Sequence, residues 1–96
     1  MHKFQVTIQF EMNETFMSHV PEHRAYIDEL IRKNVVEHYA VSMESYRLWI
    51  LMNAESKEDI LDYLSKSPLY QWWTIEVDSL FVYDGKNYRL PDLVLN

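Results

Sequence analysis

The sequence predicts an α+β fold of the ferredoxin-like kind, and three observations predict it. The elements run β-α-β-β-α-β. The first and last strands alternate strictly between apolar and polar residues. The two helical segments each carry one apolar stripe. In that arrangement an antiparallel sheet carries both helices on one face.

The first strand is the clearest. Phe4, Val6, Ile8 and Phe10 alternate with Gln5, Thr7, Gln9 and Glu11 across Lys3 to Glu11. Period two over this length is a half-buried strand. Asn13 and Glu14 break it. A helix is expected from about Ser18 to Asn34, with Pro21 in its first turn, where a missing N–H costs nothing. Val20, His23, Ile27, Leu30, Ile31 and Asn34 share one stripe. Arg32 and Lys33 suit the negative end of the helix dipole. Val35 to Ser42 and Tyr46 to Met52, rich in β-branched and aromatic residues, are the next two strands. Met43 to Ser45 joins them as a hairpin. No glycine is there to serve a two-residue type I′ turn.

Ser56 caps the second helix, with Glu58 and Asp59 in the first turn and Ile60, Leu61 and Leu64 as its stripe. Pro68 ends it. Trp73 to Tyr83 is the last strand, with Trp73, Ile75 and Val77 on one face and Thr74, Glu76 and Asp78 on the other. Asp84-Gly85 is a turn. The domain therefore covers residues 1–85. The tail, residues 86–96, carries Tyr88, Leu90, Leu93, Val94 and Leu95 and is expected to dock on its own or a partner subunit.

Helices cover one sheet face. The other is expected to carry Gln5, Thr7, Gln9, Thr74, Glu76 and Asp78 with Arg47, Trp49 and Leu51. Trp49 and Leu51 make it too apolar to face water alone, so a second copy of the chain is the expected cover.

Composition excludes several chemistries. A 96-residue chain has room for one core. Its single glycine, Gly85, rules out a Walker loop and a Rossmann fingerprint. With no cysteine there is no disulfide, thiolate metal site or cysteine nucleophile. The formal charge of -6 disfavours nucleic acid. No apolar run approaches the ~20 residues of a membrane span and no signal peptide is evident. A cytoplasmic location follows as the expectation.

The run Ser67-Pro68-Leu69-Tyr70-Gln71-Trp72-Trp73-Thr74-Ile75-Glu76-Val77-Asp78-Ser79-Leu80 resembles the muconolactone isomerase family, a branch of the dimeric α+β barrels. Members show a Pro-Leu-aromatic run, an aromatic or methionine pair, then Ile-Glu-Val-Asp and a leucine two residues on. The spacing from His38 through Tyr46 and the Ser56 cap to this run also fits. The resemblance implies a homodimeric or higher homo-oligomeric barrel, small organic substrates, often carboxylated, and no cofactor. For the namesake it implies a proton shift that moves a double bond in a butenolide. Glu37 and Val41 stand where members often carry basic residues.

The residues offer several candidate sites. His23 lies on the helix stripe and is a candidate proton carrier; a core histidine with a hydrogen-bonded partner gives the same pattern. His38 follows Glu37 and precedes Tyr39 on the second strand. By alternation it shares a face with Val36 and Ala40, which aims it at the helices and toward His23. A histidine at the sheet edge is the alternative. Tyr26, Trp49, Tyr70 and Trp72 are candidate walls of a pocket for a small organic molecule, or plugs of the core and of the dimer contact. His19 and His23 have the H-x-x-x-H spacing of a zinc helix, but no third ligand stands at a telling distance, so no metal is expected. Glu76 and Asp78 share a strand face and are more readily solvated than catalytic. Ser42, Ser45 and Ser67 lack a nucleophile-elbow setting.

Two functions compete. One is a cofactor-free isomerase moving a proton in a small organic acid or lactone through His23 or His38. The other is a non-catalytic dimeric module for ligand binding or assembly, favoured by Glu37 and by the lack of an evident basic anchor. Oxygenase chemistry of the kind found in other dimeric α+β barrels is a third reading, by analogy alone.

Overall fold

Strict alternation gives the sheet its centre. The computed structural model describes residues 2–84. In it β1 (His2–Phe10) lies between β3 (Arg47–Ala54) and β4 (Trp73–Ser79), while β2 (Val36–Ser42) pairs with β3 at the edge. The strand order is β2-β3-β1-β4 and every pairing is antiparallel, the ferredoxin-like topology. Gly85 and the tail 86–96, expected to dock, lie outside the described residues.

Phe4, Val6, Ile8 and Phe10 of β1 meet Leu48, Ile50, Met52 and Ala54 of β3 on one face. Leu30, Ile60 and Leu64 come down on them from the helices. Burying each such side chain is worth about 1.5–3 kcal/mol. The opposite face has the expected occupants, because Thr7 stands between Trp49 and Glu76, and Gln5 between Leu51 and Asp78.

The helical part differs from expectation at its edges. A short helix, α1 (Glu14–Ser18), precedes the main helix α2 (Val20–Arg32). Asn13 starts α1 by accepting the Phe16 N–H on its side chain at 2.8 Å. Asn34, expected on the buried stripe of α2, is instead exposed and left-handed at φ 61°. It closes α2 in a Schellman motif: its N–H donates to the Ile31 carbonyl, and the Val35 N–H to that of Leu30. Ile31 and Leu61, also placed on stripes, are exposed. Ser56 caps α3 (Lys57–Ser65) as expected, accepting the Asp59 N–H at 3.2 Å. The hairpin connection is longer than predicted, with Tyr46 left-handed at φ 53° before β3 begins. β4 stops at Ser79 rather than Tyr83, and Phe81 and Val82 beyond it are exposed. None of the described helices is long and apolar enough to cross a membrane.

One irregularity decides the side-chain directions on β2. The pairing of β2 with β3 shifts between Val36 and His38. Val36 opposes Met52, but His38 opposes Leu51 and Tyr39 opposes Ile50. This β-bulge puts Val36 and Tyr39 on the helix-covered face and His38 on the other, opposite to simple alternation. A polar cluster holds the bulge. Lys3 Nζ, almost wholly buried, donates to Glu37 and, at 2.8 Å, to Asn53 Oδ1. The Asn53 amide donates to the Asn34 carbonyl at 3.0 Å and to Glu37 at 3.1 Å. Burial pushes the Glu37 carboxyl up, but the bonds from Lys3 and Asn53 and the Lys3 charge win, holding it below the usual carboxylate range.

Removing the cation leaves Glu37 and Asn53 without their shared donor. The variant Lys3→Met should therefore lose about 2–3 kcal/mol of stability. A surface control, Lys33→Met, removes only an exposed pair with Glu29 and should lose less than 1 kcal/mol. Urea unfolding of the two variants measures the difference.

Candidate functional site

His23 is buried, as its place on the stripe predicts. Both ring nitrogens are engaged. Nδ1 is hydrogen-bonded to Ser67 Oγ at 2.7 Å and Nε2 to Tyr39 Oη at 2.8 Å. Ser67, just past the end of α3, also accepts the Leu69 N–H at 3.1 Å. The Trp73 ring meets the imidazole edge-on, centroids 5.4 Å apart. Trp73 Nε1 is itself buried with no hydrogen-bond partner among the described residues. Three elements thus fix His23: the α2 stripe presents it, the α3 terminus brings Ser67, and the bulge turns Tyr39 to it.

Burial lowers the His23 pKa to about 4, and the neighbouring Arg24 charge adds to the effect. Burial also pushes the Tyr39 phenol up to about 12, against a small opposing pull from Arg24. At neutral pH both groups are uncharged. The chain Ser67–His23–Tyr39 is therefore a neutral hydrogen-bonded path and not an ion pair.

Tyr39 is also the outer end of that path. With Arg24, Ile27, Asp28, Ile31, Glu37 and His38 it lines an open cleft of about 270 Å³ between α2 and β2. Arg24 is exposed there and has no ion-pair or hydrogen-bond partner among the described residues. The cleft therefore carries a cationic side chain that the sequence analysis did not single out. Glu37, read from the sequence as a charge opposed to an acid substrate, is already neutralised by Lys3.

The predicted residues divide. His38, expected to face the helices, is exposed on the other sheet face and lines the cleft instead. The bulge is the reason. His23 meets the cleft only through Tyr39. Tyr26 donates its hydroxyl to the Tyr63 carbonyl at 2.7 Å, tying α2 to α3. Trp49 opposes Ala40 and Thr7 on the face away from the helices. Tyr70 is exposed, with its ring 6.4 Å from that of Trp73. Trp72 packs edge-on against Phe16 at 5.7 Å and tilted against His19 at 5.9 Å, at the α1 end of the core. These four are not among the residues lining the cleft. No group of three metal-ligating side chains occurs among the described residues.

Sequence reasoning missed Tyr39, Ser67 and Arg24. Tyr39 was assigned to the wrong face by alternation. The available signal was Glu37 itself, a carboxylate within a strand, with Lys3 and Asn53 as odd polar residues near the ends of β1 and β3. Arg24 follows His23 on the helix and could have been weighed as an anchor.

The His23 shift has a stability consequence of definite sign. Between the free value of 6.5 and about 4, the unfolded chain binds a proton that the folded chain refuses. The stability from neutral His23 is complete above pH 6.5, declines as pH falls, and is gone near pH 4, a change of about 3 kcal/mol at most. Urea midpoints of the wild type and His23→Gln, compared at each pH, should converge across this window. A constant difference would contradict the burial of a neutral imidazole.

A sequence model of the family described as muconolactone delta-isomerase matches residues 1–85. No curated protein matches the chain. Among solved structures, a crystal structure of muconolactone isomerase is similar, with a TM-score of 0.67 at 20% sequence identity. The likeness covers 98% of this chain and 96% of that one. At that identity the solved structure speaks for the fold, which it shares with the sheet and helices described above. The match to the family extends over residues 1–85, the strands, the helices and the cleft included, and the chain belongs to the muconolactone delta-isomerase family.

Proposed function

We propose that this protein is a cofactor-independent cytoplasmic isomerase that moves a proton, and with it a double bond, in a small organic acid or lactone. The carrying observation is the α2–β2 cleft, lined by Arg24, which has no ion-pair partner among the described residues, by exposed His38 and by Tyr39 at the end of the His23 path. Arg24 would hold a carboxylate. His38 would take the proton from a carbon next to the carbonyl and return it to the far carbon of the allylic system. The C–H bond broken at one carbon is replaced by one at the other, so the histidine ends in its starting state. The mixed character of the face bearing Trp49 and Leu51 supports a homodimer or higher homo-oligomer, with the tail docked on its own or a partner subunit. Tyr26, Trp49, Tyr70 and Trp72, distributed over both sheet faces, would contribute through such an assembly.

One observation favours the second reading, a non-catalytic ligand-binding or assembly module. His23, with a pKa of about 4, is a weak base at neutral pH. The two readings part in a single assay. Butenolide acids are incubated with the protein in D₂O, and ¹H NMR follows double-bond migration and deuterium uptake. The isomerase reading expects both. His38→Gln should lower kcat by about 10²–10⁴-fold, and Arg24→Gln should raise KM. Saturable binding of the same acids without migration or exchange would establish the binding module instead.

A further inference from the structure

We infer that Ser67 is a positioning residue that fixes the His23 tautomer, and so makes the Tyr39 hydroxyl a donor to an oxygen atom bound in the cleft. The inference rests on the isomerase reading of that cleft for its functional meaning, but its geometry stands apart from activity.

Three contacts fix where the protons of this path lie. Ser67 Oγ accepts the Leu69 N–H at 3.1 Å. Its own proton needs an acceptor, since Ser67 is buried and an unpaired buried hydroxyl is costly. Among the described residues the only acceptor shown for it is His23 Nδ1, at 2.7 Å. If Nδ1 carried the ring proton instead, the oxygen would face two donors and its own hydrogen would have no acceptor. Ser67 therefore donates to Nδ1, and the ring proton sits on Nε2.

Nε2–H then donates to Tyr39 Oη at 2.8 Å. The phenol oxygen is engaged as acceptor, so its hydrogen is released from His23. The phenol lines the cleft, which gives that hydrogen an outlet. Burial holds the phenol protonated up to about pH 12, so it is a donor and not a phenolate in the working range.

A donor fixed in this way suits a carbonyl or enolate oxygen. When a proton leaves the carbon beside a carbonyl, negative charge builds on that oxygen. A preoriented O–H stabilises it without reorganising. The ligand class is thus an acid or lactone that places a carbonyl oxygen at Tyr39 and a carboxylate at Arg24.

The test is long-range ¹H–¹⁵N NMR of the histidine rings in the full chain at neutral pH. His23 is assigned by the resonance lost in His23→Gln. Wild type should show the Nε2–H tautomer. Ser67→Ala should shift the ring toward a mixture, and Ser67→Thr, which keeps the hydroxyl, should restore it. A wild-type Nδ1–H tautomer would overturn the inference, as would an unchanged Nε2–H tautomer in Ser67→Ala. With a butenolide acid turned over, Ser67→Ala should lower kcat about tenfold with KM little changed, and Ser67→Thr should recover it. An absence of turnover would sink the isomerase reading, while the tautomer would still decide the role of Ser67.

Discussion

The β-bulge between Val36 and His38 is the constraint on which the candidate site depends. A strand face alternates at every residue, so one inserted position exchanges the faces of all that follow. Here it moves Tyr39 to the helix-covered face and His38 away from it. Without the bulge His38 would point at the helices, and His23 would lack its phenol partner. The Lys3–Glu37–Asn53 cluster keeps the insertion in place, joining β1, β2, β3 and the end of α2 through one buried cation. A polar cluster whose hydrogen bonds do not include the imidazole thus determines what the imidazole meets.

The consequence is a histidine that is fully satisfied and uncharged. His23 resembles an ordinary core histidine in having two hydrogen-bond partners. It departs from one in that a partner, Tyr39, also lines an open cleft together with Arg24. The same burial that lowers the His23 pKa raises that of Tyr39. Both shifts come from exclusion of water, and both favour a neutral path between α3 and the cleft. The accessible imidazole is the other one, His38, which is exposed where His23 is buried.

How much of this was legible depends on which rule governed each element. β1 and β4 carried their alternation openly, and their facing residues pair as the pattern required: Thr7 with Trp49 and Glu76, Gln5 with Leu51 and Asp78. His23, Ile27 and Leu30 followed the helical period into the core. The Ser67 to Leu80 run pointed to the family, and the family match agrees. What stayed hidden was non-local. The bulge needs Lys3 and Asn53, 34 and 16 residues from Glu37, to be adjacent before Glu37 makes sense. Ser67 shows no catalytic setting in sequence because its partner lies 44 residues away on another element. Asn34 fitted the helical stripe, but the Schellman turn ended the helix before its period could reach it, while Ile31, still within α2, is exposed.

The most direct measurement is a set of NOE contacts from the rings of Tyr39 and His38 in the folded protein. The account predicts cross-peaks between the Tyr39 ring and the His23 imidazole, and between His38 and the side chain of Leu51. Cross-peaks from His38 to His23, with Tyr39 found against Leu51, would show an unbulged strand and contradict the account.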